Sequence, residues 1–156
     1  MIRAKRLHHV VLNVSDLDAS IEFYEKVLGL TLAARSEERR SAFLSFGDEH
    51  HDLALFERAT GPSPEDSQPG LVHMGWKLND YDELKAAYEE LLEMGMDVFR
   101  TIQHNVTNSV YLKDPDGMVV ELFCDRFEDG FEVMKTMGPK SDHLDIMTGE
   151  VTPVRN

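Results

Sequence analysis

Two stretches, His9-Val10-Val11-Leu12-Asn13-Val14-Ser15-Asp16 and His73-Met74-Gly75-Trp76-Lys77-Leu78-Asn79-Asp80, fall on each other when the chain is laid over itself at an offset of 64. In the same frame Asp18 falls on Asp82, Tyr24 on Tyr88, Glu25 on Glu89, Leu28 on Leu92 and Glu57 on Glu121. A repeat of this length marks two copies of one supersecondary unit. Each copy opens on a strand, since β-branched and apolar residues dominate His8 to Val14. Ser15 or Asp16 then caps a helix whose apolar stripe is Ile21, Tyr24, Val27 and Leu28, and Gly29 ends it. In the second copy Asp80 caps, Leu84, Ala87, Tyr88, Leu91 and Leu92 form the stripe, and Gly95 ends the helix.

Three strands are expected after each helix. In the first copy they are Leu30 to Arg35, Ser41 to Phe46 and Asp52 to Phe56; in the second, Val98 to Thr101, Ser109 to Lys113 and Val119 to Phe123. Asp114-Pro115-Asp116-Gly117 supplies the tight turn between the last two, Pro fixing φ and Gly allowing it to be positive. The pattern is β-α-β-β-β, twice, and the fold class is α+β. The modules are 5–59 and 70–125, together one domain over 5–125, joined by a Pro-, Gly- and acid-rich linker at 60–69. Residues 126–156 lack firm periodicity beyond one short amphipathic run of Phe127, Phe131, Val133, Met134 and Met137. They are expected to be an irregular C-terminal tail, packed on the body or on a second subunit, with a disordered end.

The formal net charge of −13 makes nucleic acid and anionic lipid unsuitable partners. No apolar run reaches the roughly 20 residues of a membrane helix, and no signal core follows the basic N-terminus, so a cytoplasmic protein is expected. A single cysteine, Cys124, leaves no internal disulfide and no Cys-rich zinc site.

The unusual residues are the histidines. His9 and His73 occupy equivalent points of the repeat, and Glu121 lies on the otherwise apolar strand Val119-Val120-Glu121-Leu122-Phe123. An isolated carboxylate there would cost several kcal/mol to bury, on the order of the penalty for an unpaired ion, and a metal removes that cost. Two imidazoles and one carboxylate form a facial set for non-haem Fe(II), and the same set accommodates Mn(II) or Zn(II). His8 is a rival to His9, but side chains alternate across a strand and the repeat selects His9.

With Leu7-His8-His9-Val10, Phe23-Tyr24, Val27-Leu28-Gly29-Leu30, the His73 strand and Tyr111-Leu112-Lys113-Asp114-Pro115-Asp116-Gly117 through Glu121, the chain resembles the vicinal oxygen chelate superfamily. The resemblance covers roughly residues 5 to 125. It implies two βαβββ modules forming a cupped mixed sheet around one metal. It is most similar to the extradiol dioxygenases, which implies a His, His, Glu triad on Fe(II) or Mn(II) and a catechol-like diol and O₂ as substrates. It further implies an acid–base His in a His-x-x-Ala segment, here His51-Asp52-Leu53-Ala54, and a Tyr ten residues before the Glu ligand, here Tyr111. A further His upstream of that Tyr is usual, and His104 fills the place at a separation resembling the short single-domain members. Read without the resemblance, His51 is equally an exposed turn residue and Tyr111 equally a core aromatic.

Two alternatives stay open. One is a non-oxidative member of the superfamily. Fosfomycin-type thiol transferases share the triad and the Tyr, whereas glyoxalases and epimerases take a fourth ligand from the last strand of the first module, where Glu57 stands 64 residues before Glu121. The other is a non-catalytic small-molecule-binding module. Exposed sheet edges and the apolar residues after position 126 lead to the expectation of a homodimer.

Overall fold

The computed structural model describes residues 1–61, 63–65 and 67–154. Its elements run β1 (Val10–Val14), α1 (Leu17–Leu28), β2 (Thr31–Ser36), β3 (Ser41–Ser45), β4 (Leu53–Glu57), β5 (His73–Lys77), α2 (Tyr81–Glu93), β6 (Arg100–His104), β7 (Thr107–Lys113), β8 (Val119–Asp125), α3 (Gly130–Met137), β9 (Ser141–Leu144) and β10 (Val151–Thr152). The β-α-β-β-β order appears twice, and both sheets are mixed. The chain divides into two compact units, the first formed by Met1–Pro64 with Asp114–Gly117, the second by Glu65–Lys113 and the chain from Met118 onward.

The first unit holds a four-stranded sheet in the order β1-β4-β3-β2, with β1 parallel to β4 and the other pairs antiparallel. Alternation sends Leu12, Val14, Leu53, Leu55, Ala42 and Leu44 to one buried face, against Leu17, Ile21 and Tyr24 of α1. Asp16 caps α1 by accepting a hydrogen bond from the Ala19 N–H at 3.0 Å, and Gly29 closes it at φ 69°, where a Cβ would be strained. The turn Asp114–Gly117 belongs to this unit. The fully buried Tyr24 hydroxyl donates to Asp114 Oδ2 at 2.8 Å, and the Ser15 N–H donates to Asp116 Oδ2 at 3.0 Å. Burial, with Asp114 beside it, pushes the Tyr24 phenol far above its ordinary pKa, so it is a permanent donor.

The second unit holds a six-stranded sheet in the order β10-β9-β6-β7-β8-β5, with β5 parallel to β8. Its buried face carries Met74, Val110, Leu112, Val120, Leu122, Cys124 and Leu144, together with Leu84 and Leu91 of α2. Gly95, at φ 72°, reverses the chain after α2, and the Met96 N–H returns to Leu91 O at 2.9 Å.

Two expectations need correction. Residues 126–154 are not an irregular tail: α3 forms, β9 extends the sheet beside β6, and Leu144 and Ile146 are buried. A disordered end was also expected; Arg155 and Asn156 lie outside the described residues. The second correction concerns the repeat equivalence of Glu57 with Glu121. β1 and β4 pair Val11 with Ala54, whereas β5 and β8 pair Gly75 with Glu121. Since Val11 and Gly75 are repeat-equivalent, the counterpart of Glu121 is Ala54, 67 residues earlier, and not Glu57. Three residues is an odd step along a strand, so Glu57 sits on the opposite, helix-facing side. There its Oε2 accepts the Leu17 N–H at 3.2 Å and its Oε1 accepts Arg40 Nε at 2.9 Å.

Candidate metal centre

In the second unit one sheet face collects the polar chemistry. The β5–β8 register places His73, Gly75 and Lys77 across from Val119, Glu121 and Phe123. The β7–β8 register puts Tyr111 opposite Glu121, and the β6–β9 register puts His104 opposite Ser141. The apolar partners of alternate parity point the other way into the core. The sequence thus separates reactive from structural side chains by the period of the strand alone.

On that face a continuous polar series runs across five strands. His73 Nε2 lies 3.2 Å from Glu121 Oε2. The Tyr111 hydroxyl donates to Glu121 Oε1 at 2.6 Å. His104 Nε2 lies 2.9 Å from the Tyr111 hydroxyl, and Ser141 Oγ lies 2.9 Å from His104 Nδ1. Glu121 is only 9% exposed. Burial first, then the bond to Glu121, pushes the Tyr111 phenol well above its ordinary range, so it keeps its proton. Gly75 opens the space: a Cβ there would stand 3.1 Å from Glu121 Oε2 and 3.3 Å from Phe123 Cε1.

The donor set fits a divalent ion. Two ligands each about 2.0–2.2 Å from one ion lie about 3–3.5 Å apart at octahedral or tetrahedral angles. The His73–Glu121 spacing of 3.2 Å falls in that range. The Tyr111 bond orients the carboxylate from outside, as residues behind metal ligands commonly do. Among the described residues no group of three or more His, Cys, Asp and Glu side chains is drawn together around one point.

In the first unit, the His9 and His51 rings lie 4.5 Å apart between centroids, and His51 meets Phe43 edge-on at 5.2 Å. Phe43 pairs with Ala54. His8 stacks on His50 at 4.8 Å, and its Nε2 lies 3.0 Å from Glu49 Oε2. Burial, then the neighbouring His50, His9 and His8, lowers the pKa of His51 below the usual imidazole value, which favours the neutral ring. Of the residues singled out from sequence, His73, Glu121, Tyr111 and His104 come together in the second unit, and His9 and His51 in the first. Sequence reasoning passed over Gly75 and Ser141. A glycine inside an apolar strand was a legible sign of close approach; Ser141 carried no such sign.

Residues 6–122 match the family model described as "Glyoxalase/Bleomycin resistance protein/Dioxygenase superfamily". The chain is 36% identical over 124 residues to "Biphenyl-2,3-diol 1,2-dioxygenase 3" of Rhodococcus globerulus, a match spanning 78% of this chain and 64% of that protein's length. It is 32% identical over 124 residues to "Probable lactoylglutathione lyase" of Vibrio cholerae serotype O1, covering 75% of this chain and 88% of the relative. Among solved structures, "a glyoxalase/dioxygenase from Nostoc punctiforme" matches with a TM-score of 0.65 at 24% identity, over 81% of this chain and 98% of the other, a likeness of fold. Motif, fold and family model agree, and the chain belongs to the glyoxalase/bleomycin resistance protein/dioxygenase superfamily.

Proposed function

We propose that the chain is a metal-dependent extradiol-type dioxygenase that opens the ring of a catechol-like diol with O₂. The observation that carries this reading is the pairing of Ala54 where the second module has Glu121. A glyoxalase-type centre draws a fourth ligand from the last strand of the first module. Ala54 has no donor atom, and both carboxylate oxygens of Glu57 are engaged by Arg40 and the start of α1. A three-ligand set leaves positions free for substrate and O₂. The 36% identity to a biphenyl-diol dioxygenase supports the same side.

The ligands in this reading are His73 and Glu121, supported by their 3.2 Å approach, and His9, supported by the repeat. Fe(II) suits the set, as does Mn(II). When bound, such an ion supplies a Lewis-acid seat for the two vicinal oxygens and an electron path from diol to O₂. The chain's own residues move protons and hold geometry. His51, neutral beside His9, accepts a diol hydroxyl proton and returns it as the ring opens. Tyr111, whose phenol proton is held on Glu121 and whose oxygen also meets His104, offers its remaining lone pair to a substrate hydroxyl. Both atoms of O₂ end in the product, and one ring C–C bond beside the diol is broken.

The His51→Ala and Glu57→Gln variants test the assignment. We expect His51→Ala to keep its metal and lose about 10²–10⁴-fold in turnover. Glu57→Gln should keep metal and activity and lose about 1 kcal/mol of stability through the weakened contact at the start of α1. Loss of metal from Glu57→Gln, with His51→Ala unimpaired, would point to the lyase-type centre instead.

A further inference from the structure

The direction of each hydrogen bond in the second unit follows from which groups can donate. A carboxylate oxygen accepts, and Glu121 Oε1 takes its hydrogen bond from Tyr111. The Tyr111 hydroxyl, 2.6 Å from Glu121 Oε1, therefore spends its proton there. Its oxygen can then only accept from His104, so His104 Nε2, at 2.9 Å, carries a hydrogen. In a neutral imidazole this leaves Nδ1 bare. Two groups compete for Nδ1. Ser141 Oγ, at 2.9 Å, can donate to it, which suits the bare nitrogen. The carbonyl of Lys140, at 3.3 Å, can only accept and would require hydrogen on Nδ1. That second arrangement would strip Nε2, turn it into an acceptor and draw the Tyr111 proton away from Glu121.

We propose that Ser141, on β9, is a positioning residue that holds neutral His104 in the Nε2–H form, and thereby keeps the Tyr111 hydroxyl aimed at Glu121. The segment after position 126 is then part of the site's support. β9 pairs His104 with Ser141, and the Arg126 guanidinium donates to the carbonyls of His104 and Asn105 at 2.8 and 3.0 Å, fixing the same stretch of backbone. The effect on turnover rests on the proposed function; the form of the imidazole does not.

The test is long-range ¹H–¹⁵N correlation on ¹⁵N-histidine-labelled full-length protein, at a pH where the ring is neutral, with the His104 signals identified by loss in His104→Gln. Wild type should show the Nε2–H form. Ser141→Ala should shift to Nδ1–H as the Lys140 carbonyl takes over, and Ser141→Thr, which keeps the hydroxyl, should restore Nε2–H. The same form in wild type and Ser141→Ala would overturn the proposal. In the iron-loaded enzyme, kcat on catechol should fall roughly tenfold in Ser141→Ala with KM unchanged, and recover in Ser141→Thr. An unchanged kcat despite a shifted tautomer would overturn Ser141's link to turnover. A tautomer shift on going from wild type to Ser141→Ala, in a protein whose wild type turns over no diol, would leave Ser141's role intact and defeat the dioxygenase reading.

Discussion

At the scale of single residues, Glu121 is the pivot. This carboxylate on an apolar strand is 9% exposed, with Tyr111 donating to one oxygen and His73 beside the other. Removing it while leaving its neighbours should empty the centre. We expect Glu121→Ala to purify without stoichiometric metal, as His73→Ala and His9→Ala should; full occupancy by elemental analysis in Glu121→Ala would remove the carboxylate from the ligand set. Gly75 gives a subtler test. Its absent Cβ is the space into which Glu121 Oε2 projects, so Gly75→Ala should press the carboxylate away from His73. Metal affinity should fall about 10–100-fold, the range seen when residues behind metal ligands are altered. Calorimetric titration with Mn(II) reads this directly, and unchanged affinity would show that Glu121 does not need the space.

At the scale of elements, the helices of the two modules and most strands were legible because their signals are local. Caps at Asp16 and Asp80, the glycine ends and the alternation of the strands each act within a few residues. The parity of the last strand in each copy was not legible. An offset of 64 aligns His9 with His73 but misaligns Ala54 and Glu121, because the segments between first and last strand differ by three residues in length. Counting therefore kept Glu57 open as a fourth ligand of the glyoxalase-type alternative, although its side chain faces α1. The strand β9 was hidden for another reason. Ser141-Asp142-His143-Leu144 is short and mostly polar, and its extended form is set by pairing with β6 across more than 35 residues of chain, which no local pattern encodes. If β9 is integral, Leu144→Ala should cost about 2–5 kcal/mol, as for a core leucine. Urea denaturation followed by circular dichroism measures it, and a loss near zero would return the segment to the status of a loose tail.

At the scale of the whole molecule, charge and exposed surface bear on behaviour in solution. The formal charge of −13 favours solubility, and no helix among the described residues is long and apolar enough to cross a membrane. The apolar side of α3 is open, with Phe131 at 76% and Met137 at 64% exposure. A second copy is the covering we expect, giving a homodimer of twice 17.8 kDa at micromolar concentration; sedimentation at the monomer mass would exclude it. The proposed chemistry belongs to the same scale. The decisive measurement is oxygen uptake after anaerobic reconstitution of the full chain with Fe(II), across a panel of catechols. Stoichiometric O₂ consumption with ring-opened product, lost in Glu121→Ala, is the expected result. Metal-loaded protein that consumes no O₂ with any catechol, yet isomerises the hemithioacetal of glutathione and methylglyoxal, would mean that the superfamily is right and the dioxygenase reading is wrong.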